Sequence, residues 1–236
     1  MGQLSNLLQN CLRLQPGCLA MHNLIEGFQR FRSGSFLDHR ERLHHLAQVG
    51  QAPRTMVISC CDSRLDPWMI FAAAPGDLLV VRNIANLVPP YQPDAVHHGT
   101  SAALEFGVCR LGVEQIVILG HSQCGGVRAL LTGSIDGDFI GSWMNIAAEA
   151  RRLARLCPED EAQRVGELTC IGVSLRNMMT FPWIRERVEA GCLTLLGCFF
   201  DLETGNLLHR GLDSAEFVPL ADASRQPQEC PCHAKT

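Results

Sequence analysis

Two short stretches hold the residues best suited to chemistry: Cys60-Cys61-Asp62-Ser63-Arg64 and His121-Ser122-Gln123-Cys124-Gly125-Gly126. Thiolate and imidazole are the preferred ligands of zinc. A His and a Cys with two residues between them reach one ion from a tight turn, and a third ligand from a neighbouring strand end completes a Cys₂His set. Three protein ligands leave the fourth tetrahedral position open, the mark of a catalytic zinc. A zinc held this way ionises bound water near neutral pH and turns it into a nucleophile. Gly125 and Gly126 let the backbone turn closely behind the ligand. Taken singly, each stretch has a plainer reading as an ordinary strand end; the metal reading rests on both together. Side chains alternate along a strand, so Cys60 and Cys61 point to opposite sides and one of them is a spectator.

The elements around these residues must bring them together. Residues 21–49 have helical spacing, with Leu24, Ile25, Phe28 and Phe31 on one face and a break at 33–35. Apolar runs at 55–60, 78–82, 115–120 and 193–200 read as buried strands, and a turn at 203–206 leads into a short strand at 207–209. Helices are expected at 101–111, ending at Gly112, at 125–131, and over 139–156 and 159–179. Asp66-Pro67 opens a short helix with Pro in its first turn. Strands alternating with helices imply an α/β fold: a mainly parallel central sheet flanked by helices, with an N-terminal helical arm and a C-terminal antiparallel edge hairpin. The expected organisation is an arm over 1–50, a catalytic domain over 51–225 and a polar tail over 226–236. Ligands bind beyond the carboxyl ends of strands in such sheets, which is where both stretches fall.

Composition narrows the function. The 236 residues are 47% hydrophobic and 19% charged, which excludes wholesale disorder. Formal charge is −4, with no basic excess of a nucleic-acid binder. No apolar run reaches the roughly 18 residues of a membrane span. Residues 1–20 carry Gln, Asn and Arg where a secretion signal needs an apolar stretch, so the expected location is cytoplasmic, where thiols stay reduced. Of the 12 cysteines, Cys109, Cys170, Cys192 and Cys198 lie in apolar segments and read as small buried hydrophobes. Cys230-Pro231-Cys232-His233 looks like a metal-binding pattern but lies in a polar terminus, for which mobility rather than a fixed site is the expectation.

Cys-x-Asp-Ser-Arg followed by Gly-His-x-x-Cys-Gly-Gly resembles the β-class carbonic anhydrases. The resemblance extends through Pro75-Gly76-Asp77-Leu78-Leu79-Val80-Val81-Arg82-Asn83 and Gly99-Thr100-Ser101-Ala102-Ala103-Leu104-Glu105-Phe106. It implies a zinc enzyme that converts CO₂ and water reversibly to bicarbonate and a proton. Position by position, it implies Cys60, His121 and Cys124 as zinc ligands and Asp62 and Arg64 as a catalytic dyad. With Arg64 paired to Asp62 the site is open; with Asp62 on the metal it is closed. Gln51 matches a substrate-facing amide, Leu79 and Phe106 match aromatic residues lining the cleft, and Gly125 adjoins the same pocket. Phe106 lacks the hydroxyl found in plant-like members. Some relatives bind regulatory bicarbonate with a Trp, an Arg and a Tyr. Here Arg82 matches the Arg, while Val57 and Phe200 replace the other two, which points to the open, non-allosteric type.

The resemblance also implies a homodimer or a multiple of dimers, with helices before the first strand as arms crossing to a partner. Three rival readings stand beside it. An α/β-hydrolase elbow would need Gly where Cys124 stands. A structural or redox-sensing zinc domain would present four ligands. Carbon disulfide and carbonyl sulfide hydrolases resemble this family and share its ligands. His97 and His98 are either proton carriers or a solvated loop pair.

Overall fold

A computed structural model describes residues 19–94 and 97–220, with only the backbone of residues 19 and 20. The 226–236 tail and its cysteines lie outside the described residues. The chain divides into two compact units, Met1–Gly50 and Gln51–Thr236.

The first unit holds helices α1 (Leu19–Ser33) and α2 (Ser35–Val49), separated at Gly34. Leu24 and Phe28 of α1 are 68% and 60% exposed, and α2 has no buried residue. Phe31 packs edge-on against Phe36 across the break.

In the second unit, β1 (Thr55–Cys60) is followed by α3 (Pro67–Ile70), β2 (Leu78–Asn83) and a 3₁₀ turn at Ile84–Asn86. Then come α4 (Gly99–Glu105), β3 (Gln115–His121), α5 (Gly125–Thr132), α6 (Ile140–Met144), α7 (Ala148–Ala154), α8 (Glu159–Met178) and α9 (Pro182–Glu189). Strands β4 (Thr194–Phe200), β5 (Leu207–Gly211) and β6 (Val218–Pro219) complete it. The sheet order is β2-β1-β3-β4-β5-β6, parallel through β4 and antiparallel beyond. The outermost strand is therefore β6, beyond the expected hairpin; it is two residues long and carries Pro219, which donates no backbone hydrogen bond at the edge.

Two apolar cores fill the faces of the sheet. Met56, Ile58, Ile116, Ile118, Leu195 and Phe199 point into one; Val57, Val117, Leu119 and Cys198 point into the other. Helix α8 is buried on nearly every side from Cys170 to Leu175, which is why its sequence shows little amphipathic periodicity. It approaches β3 and β4 across two glycines. A Cβ on Gly120 or on Gly197 would lie 2.7 Å from the Ile171 side chain. Burial pushes the thiols of Cys170 and Cys198 up to about 12, so both behave as small hydrophobes. Cys109 differs from expectation: it is exposed, because the helical period turns it away from buried Val108. Cys192 is half-buried.

The end of the expected 101–111 helix widens into a π-turn at Phe106–Leu111, and Gly112 closes it in the left-handed conformation, φ 71°. The expected 139–156 helix is interrupted by a 3₁₀ turn at Asn145–Ala147. After β2, residues 84–88 run without regular pairing and are held by side chains. Asn83 Nδ2 donates to Leu87 O at 2.8 Å, while Leu87 N–H donates to Asn83 Oδ1 at 3.0 Å. From α8, Ser174 Oγ donates to Asn86 O at 3.0 Å and accepts from Val88 N–H at 3.1 Å. These bonds hold Ala85 and Asn86 at φ 60° and 49°, a left-handed conformation that costs a non-glycine residue about 1–2 kcal/mol. Ser174→Ala should therefore leave a buried N–H and C=O without their partner and lower stability by about 1–3 kcal/mol. Denaturant unfolding measures this as an earlier midpoint at unchanged slope.

Candidate metal centre

Cys60 ends β1, His121 ends β3, and Cys124 stands at the N-cap of α5. Parallel pairing of β1 with β3 brings the first two to the same edge, and the Ser122-Gln123 turn folds Cys124 back beside them. Gln123 makes that turn at φ 61°. The Cys60 and Cys124 sulfurs are 3.9 Å apart, and one ligand atom from each of the three residues lies within 4.8 Å of the others. All three are buried, at 4%, 0% and 2% exposure for Cys60, His121 and Cys124.

His121 decides how this cluster reads. Its Nδ1 lies 2.8 Å from Ser122 O, an acceptor, so Nδ1 carries the proton and Nε2 a free lone pair. Nε2 is buried with no hydrogen-bond partner. A buried nitrogen in that state is costly unless something fills the space it faces. A tetrahedral zinc with metal–sulfur bonds of 2.3 Å sets its two sulfurs about 3.8 Å apart. The separation here matches, and the donor set is soft, so the residues fit zinc. The contact with Cys124 draws the Cys60 thiol well below its ordinary range against the cost of burial. The same contact, together with burial, pushes Cys124 upward. One thiol thus ionises readily, and the other gives up its proton when a cation replaces it.

Asp62 stands beside the cluster, its Oδ2 3.9 Å from His121 Nε2. Arg64 grips it bidentately, with Nε to Oδ1 at 2.9 Å and a terminal nitrogen to Oδ2 at 2.8 Å, and its backbone N–H adds a bond at 3.0 Å. Those Arg64 side-chain bonds hold the carboxyl well below the usual carboxylate range. Arg64 in turn donates to Gln123 O at 3.0 Å, tying the dyad to the ligand turn. Arg82 fastens the loop from behind, donating to the carbonyls of Cys60, Asp62 and Leu65 at 3.1, 2.7 and 2.6 Å. Cys61 is exposed, and its N–H donates to Asn83 O.

The other candidates fall elsewhere in the chain. Gln51 is exposed on the amino side of β1, while the cluster is at its carboxyl end. Leu79 packs in the core on the opposite face, where a Cβ on Gly107 would lie 3.0 Å from its Cδ2. Phe106, next to Gly107, is 47% exposed. Leu79 thus lies on the sheet face away from the ligands. Gly125 leaves open space where a Cβ would project. His98 is paired with Asp94 at 2.6 Å.

Two residues escaped the sequence reading. Glu167, on α8 and 4% exposed, accepts the Cys124 N–H at 2.8 Å, and burial pushes its carboxyl up. Gln163, one turn earlier, donates to Cys124 O at 3.1 Å and to Glu167. Their i, i+4 spacing puts both on one helix face, but nothing local ties that face to a turn so distant in sequence.

Comparison with known proteins agrees with this geometry. Residues 55–207, which span both stretches, match the family model described as carbonic anhydrase. Beta carbonic anhydrase 5, chloroplastic, of Arabidopsis thaliana is 38% identical over 186 residues, covering 76% of this chain. This chain spans only 61% of that relative's length. A carbonic anhydrase of Synechocystis sp. is 37% identical over 196 residues, covering 80% of this chain and 70% of the relative. Among solved structures, the β-carbonic anhydrase CcaA superposes with a TM-score of 0.79 at 34% identity, covering 89% of this chain and 93% of that one. A tetrameric β-carbonic anhydrase from Sordaria macrospora gives 0.68 at 28% identity, covering 83% and 98%. With the family model matched across both site stretches and the same sheet carrying them, this chain belongs to the β-carbonic anhydrase family.

Proposed function

We propose that the chain catalyses reversible hydration of CO₂ to bicarbonate and a proton, with zinc held by Cys60, His121 and Cys124. One observation carries the reading: a buried, unpartnered His121 Nε2 converges with two thiols beside a carboxylate held by an arginine. Bound there, zinc would supply Lewis acidity and lower the pKa of a water it takes up. Asp62, ionised and acceptor-only, accepts a hydrogen bond from the reacting oxygen and so orients it. Arg64 keeps Asp62 aimed at that oxygen and off the ligand cluster. Ala85, Leu65 and Leu87 pack in the same core as Cys60 and give the cluster apolar walls suited to an uncharged gas. Val57 and Phe200 stand in place of two regulatory side chains, and Arg82 commits Nε and one terminal nitrogen to backbone carbonyls, which favours the non-allosteric reading. The reported relatives are named as carbonic anhydrases, and neither the sulfide-hydrolase nor the redox-domain rival gains support.

The same reading makes the chain a homo-oligomer. Leu79 lies on the face away from its own cluster, as a residue serving the site of a second copy would, and we assign Phe106 and Gln51 to the same cleft. The exposed apolar residues of α1 suit an arm that covers a partner. The Sordaria relative is described as tetrameric. No described helix is long and apolar enough to cross a membrane. A cytoplasmic location suits the free thiols at Cys60 and Cys124, which a reducing compartment keeps available to the metal.

Zinc content and CO₂ hydration measured on one sample test the function. Replacing Cys60, His121 or Cys124 by Ala should remove most zinc and nearly all hydration, while Cys61→Ser keeps both. Full zinc and full rate in Cys124→Ala would refute the site. Removing zinc with a chelator should also lower the thermal midpoint, because metal binding stabilises the folded chain that presents the ligands.

In a double-mutant cycle on the dyad, Asp62→Asn and Arg64→Ala should each cost nearly as much hydration as the pair together. Additive losses would mean that Arg64 does not act through Asp62. Sedimentation should show dimers or multiples of dimers; a fully active monomer would overturn the shared cleft.

A further inference from the structure

We infer that Glu167 and Gln163 form a positioning clamp that sets how tightly the Cys124 turn holds zinc. The inference rests on the zinc reading above. Cys124 stands between the left-handed Gln123 and the first turn of α5, where its own peptide groups have no strand partner. Its N–H goes to Glu167 Oε1 at 2.8 Å, and its C=O receives Gln163 Nε2 at 3.1 Å. The N–H is therefore held by Glu167, while the C=O is shared between Gln163 and the Arg128 N–H at 3.0 Å, the first bond of α5. Gln163 also donates to the Glu167 oxygen that accepts the Cys124 N–H, so the two side chains fix each other. Helix α8 is anchored against β3 and β4 by close packing over Gly120 and Gly197, which makes it a rigid support. The clamp fixes the direction of the Cys124 Cα–Cβ bond, and hence the sulfur, relative to Cys60 and His121. Outer partners of this kind set metal affinity by about 10–100-fold.

The experiment measures zinc affinity by competition with a chromogenic chelator on the full chain, independently of hydration. Glu167→Leu, which leaves the Cys124 N–H without an acceptor, should weaken zinc binding about 10–100-fold. Glu167→Gln retains an acceptor oxygen of the same shape and should restore affinity to within a few-fold of the unsubstituted chain. Leu175→Ala, a core deletion on the same helix, should lower the thermal midpoint without this loss of zinc. Gln163→Leu, at a half-buried position, removes the other arm of the clamp and should weaken zinc in the same direction, which keeps the test readable if Glu167→Leu does not accumulate. Unchanged affinity in Glu167→Leu and Gln163→Leu overturns the clamp. So does a loss in Leu175→Ala as large as theirs, or a Glu167→Gln chain as weak as Glu167→Leu. If the unsubstituted chain binds no zinc, the reading of the site falls and the clamp falls with it; if it binds zinc but the variants match it, only the clamp falls.

Discussion

A buried imidazole nitrogen with no partner is the constraint on which the carboxyl end of this sheet depends. His121 is 0% exposed, and its Nδ1 is already committed to Ser122 O, so Nε2 cannot turn away to find another partner. Leaving such a group unpaired costs about 1–3 kcal/mol. The two thiols alone do not remove that cost well, since sulfur is a weak hydrogen-bond partner. A soft cation removes it for all three at once. The arrangement of β1, β3 and the turn into α5 makes sense only with that convergence as its purpose.

Convergence in turn requires unusual backbone. Three left-handed residues flank the ligands: Ala85, Asn86 and Gln123. None is glycine, so each conformation must be imposed from outside. Helix α8 supplies much of the restraint, with Ser174 holding residues 86–88 and Glu167 and Gln163 holding Cys124. Trp143 on α6 adds a hydrogen bond to Ile84 O at 2.8 Å. Guanidinium groups take over where the loop meets solvent. Arg82 and Arg64 are both exposed, yet each holds a backbone or carboxylate oxygen of the 60–65 segment. The exposed part of the site is thus secured by charged forks and the buried part by neutral or buried polar side chains, as the local dielectric favours.

Much of this was legible in the residues. The parallel strands were visible because each is a short apolar run between turn signals, and Cys60 and His121 were visible because they end two such runs. Asp62 and Arg64 were singled out through the family resemblance, which the Cys-x-Asp-Ser-Arg motif carries. What stayed hidden is non-local or lacks period. Glu167 is an ordinary acidic residue in its own helix, and its bond to Cys124 spans 43 positions. Helix α9 went unread although Phe181-Pro182 carries the usual Pro at a helix start. The π-turn at 106–111 shares its residues with a normal helix and differs only in hydrogen bonding. Cys109 misled because its apolar neighbours indicated a buried segment, whereas burial alternates around a helix residue by residue.

The positions of Gln51 and Leu79 follow from the same strand geometry. The six residues of β1 rise about 3.3 Å each, which places its two ends roughly 17 Å apart. Gln51 precedes one end and Cys60 forms the other. Residues 52–54 are too few to carry Gln51 back along the whole strand, particularly as Arg54 is tied to Glu114 just before β3. Leu79 meets a different limit, since one-residue alternation along β2 commits it to the face away from the ligands. A side chain cannot change sheet face without a register slip, and the β1–β2 register is continuous from Thr55↔Leu78 to Cys60↔Asn83. If these residues contact substrate, they do so in the site of another chain. The Cys60, His121 and Cys124 cluster is complete within one chain, whereas Gln51 and Leu79 lie away from it, so metal binding would not require a second copy even where substrate contacts do.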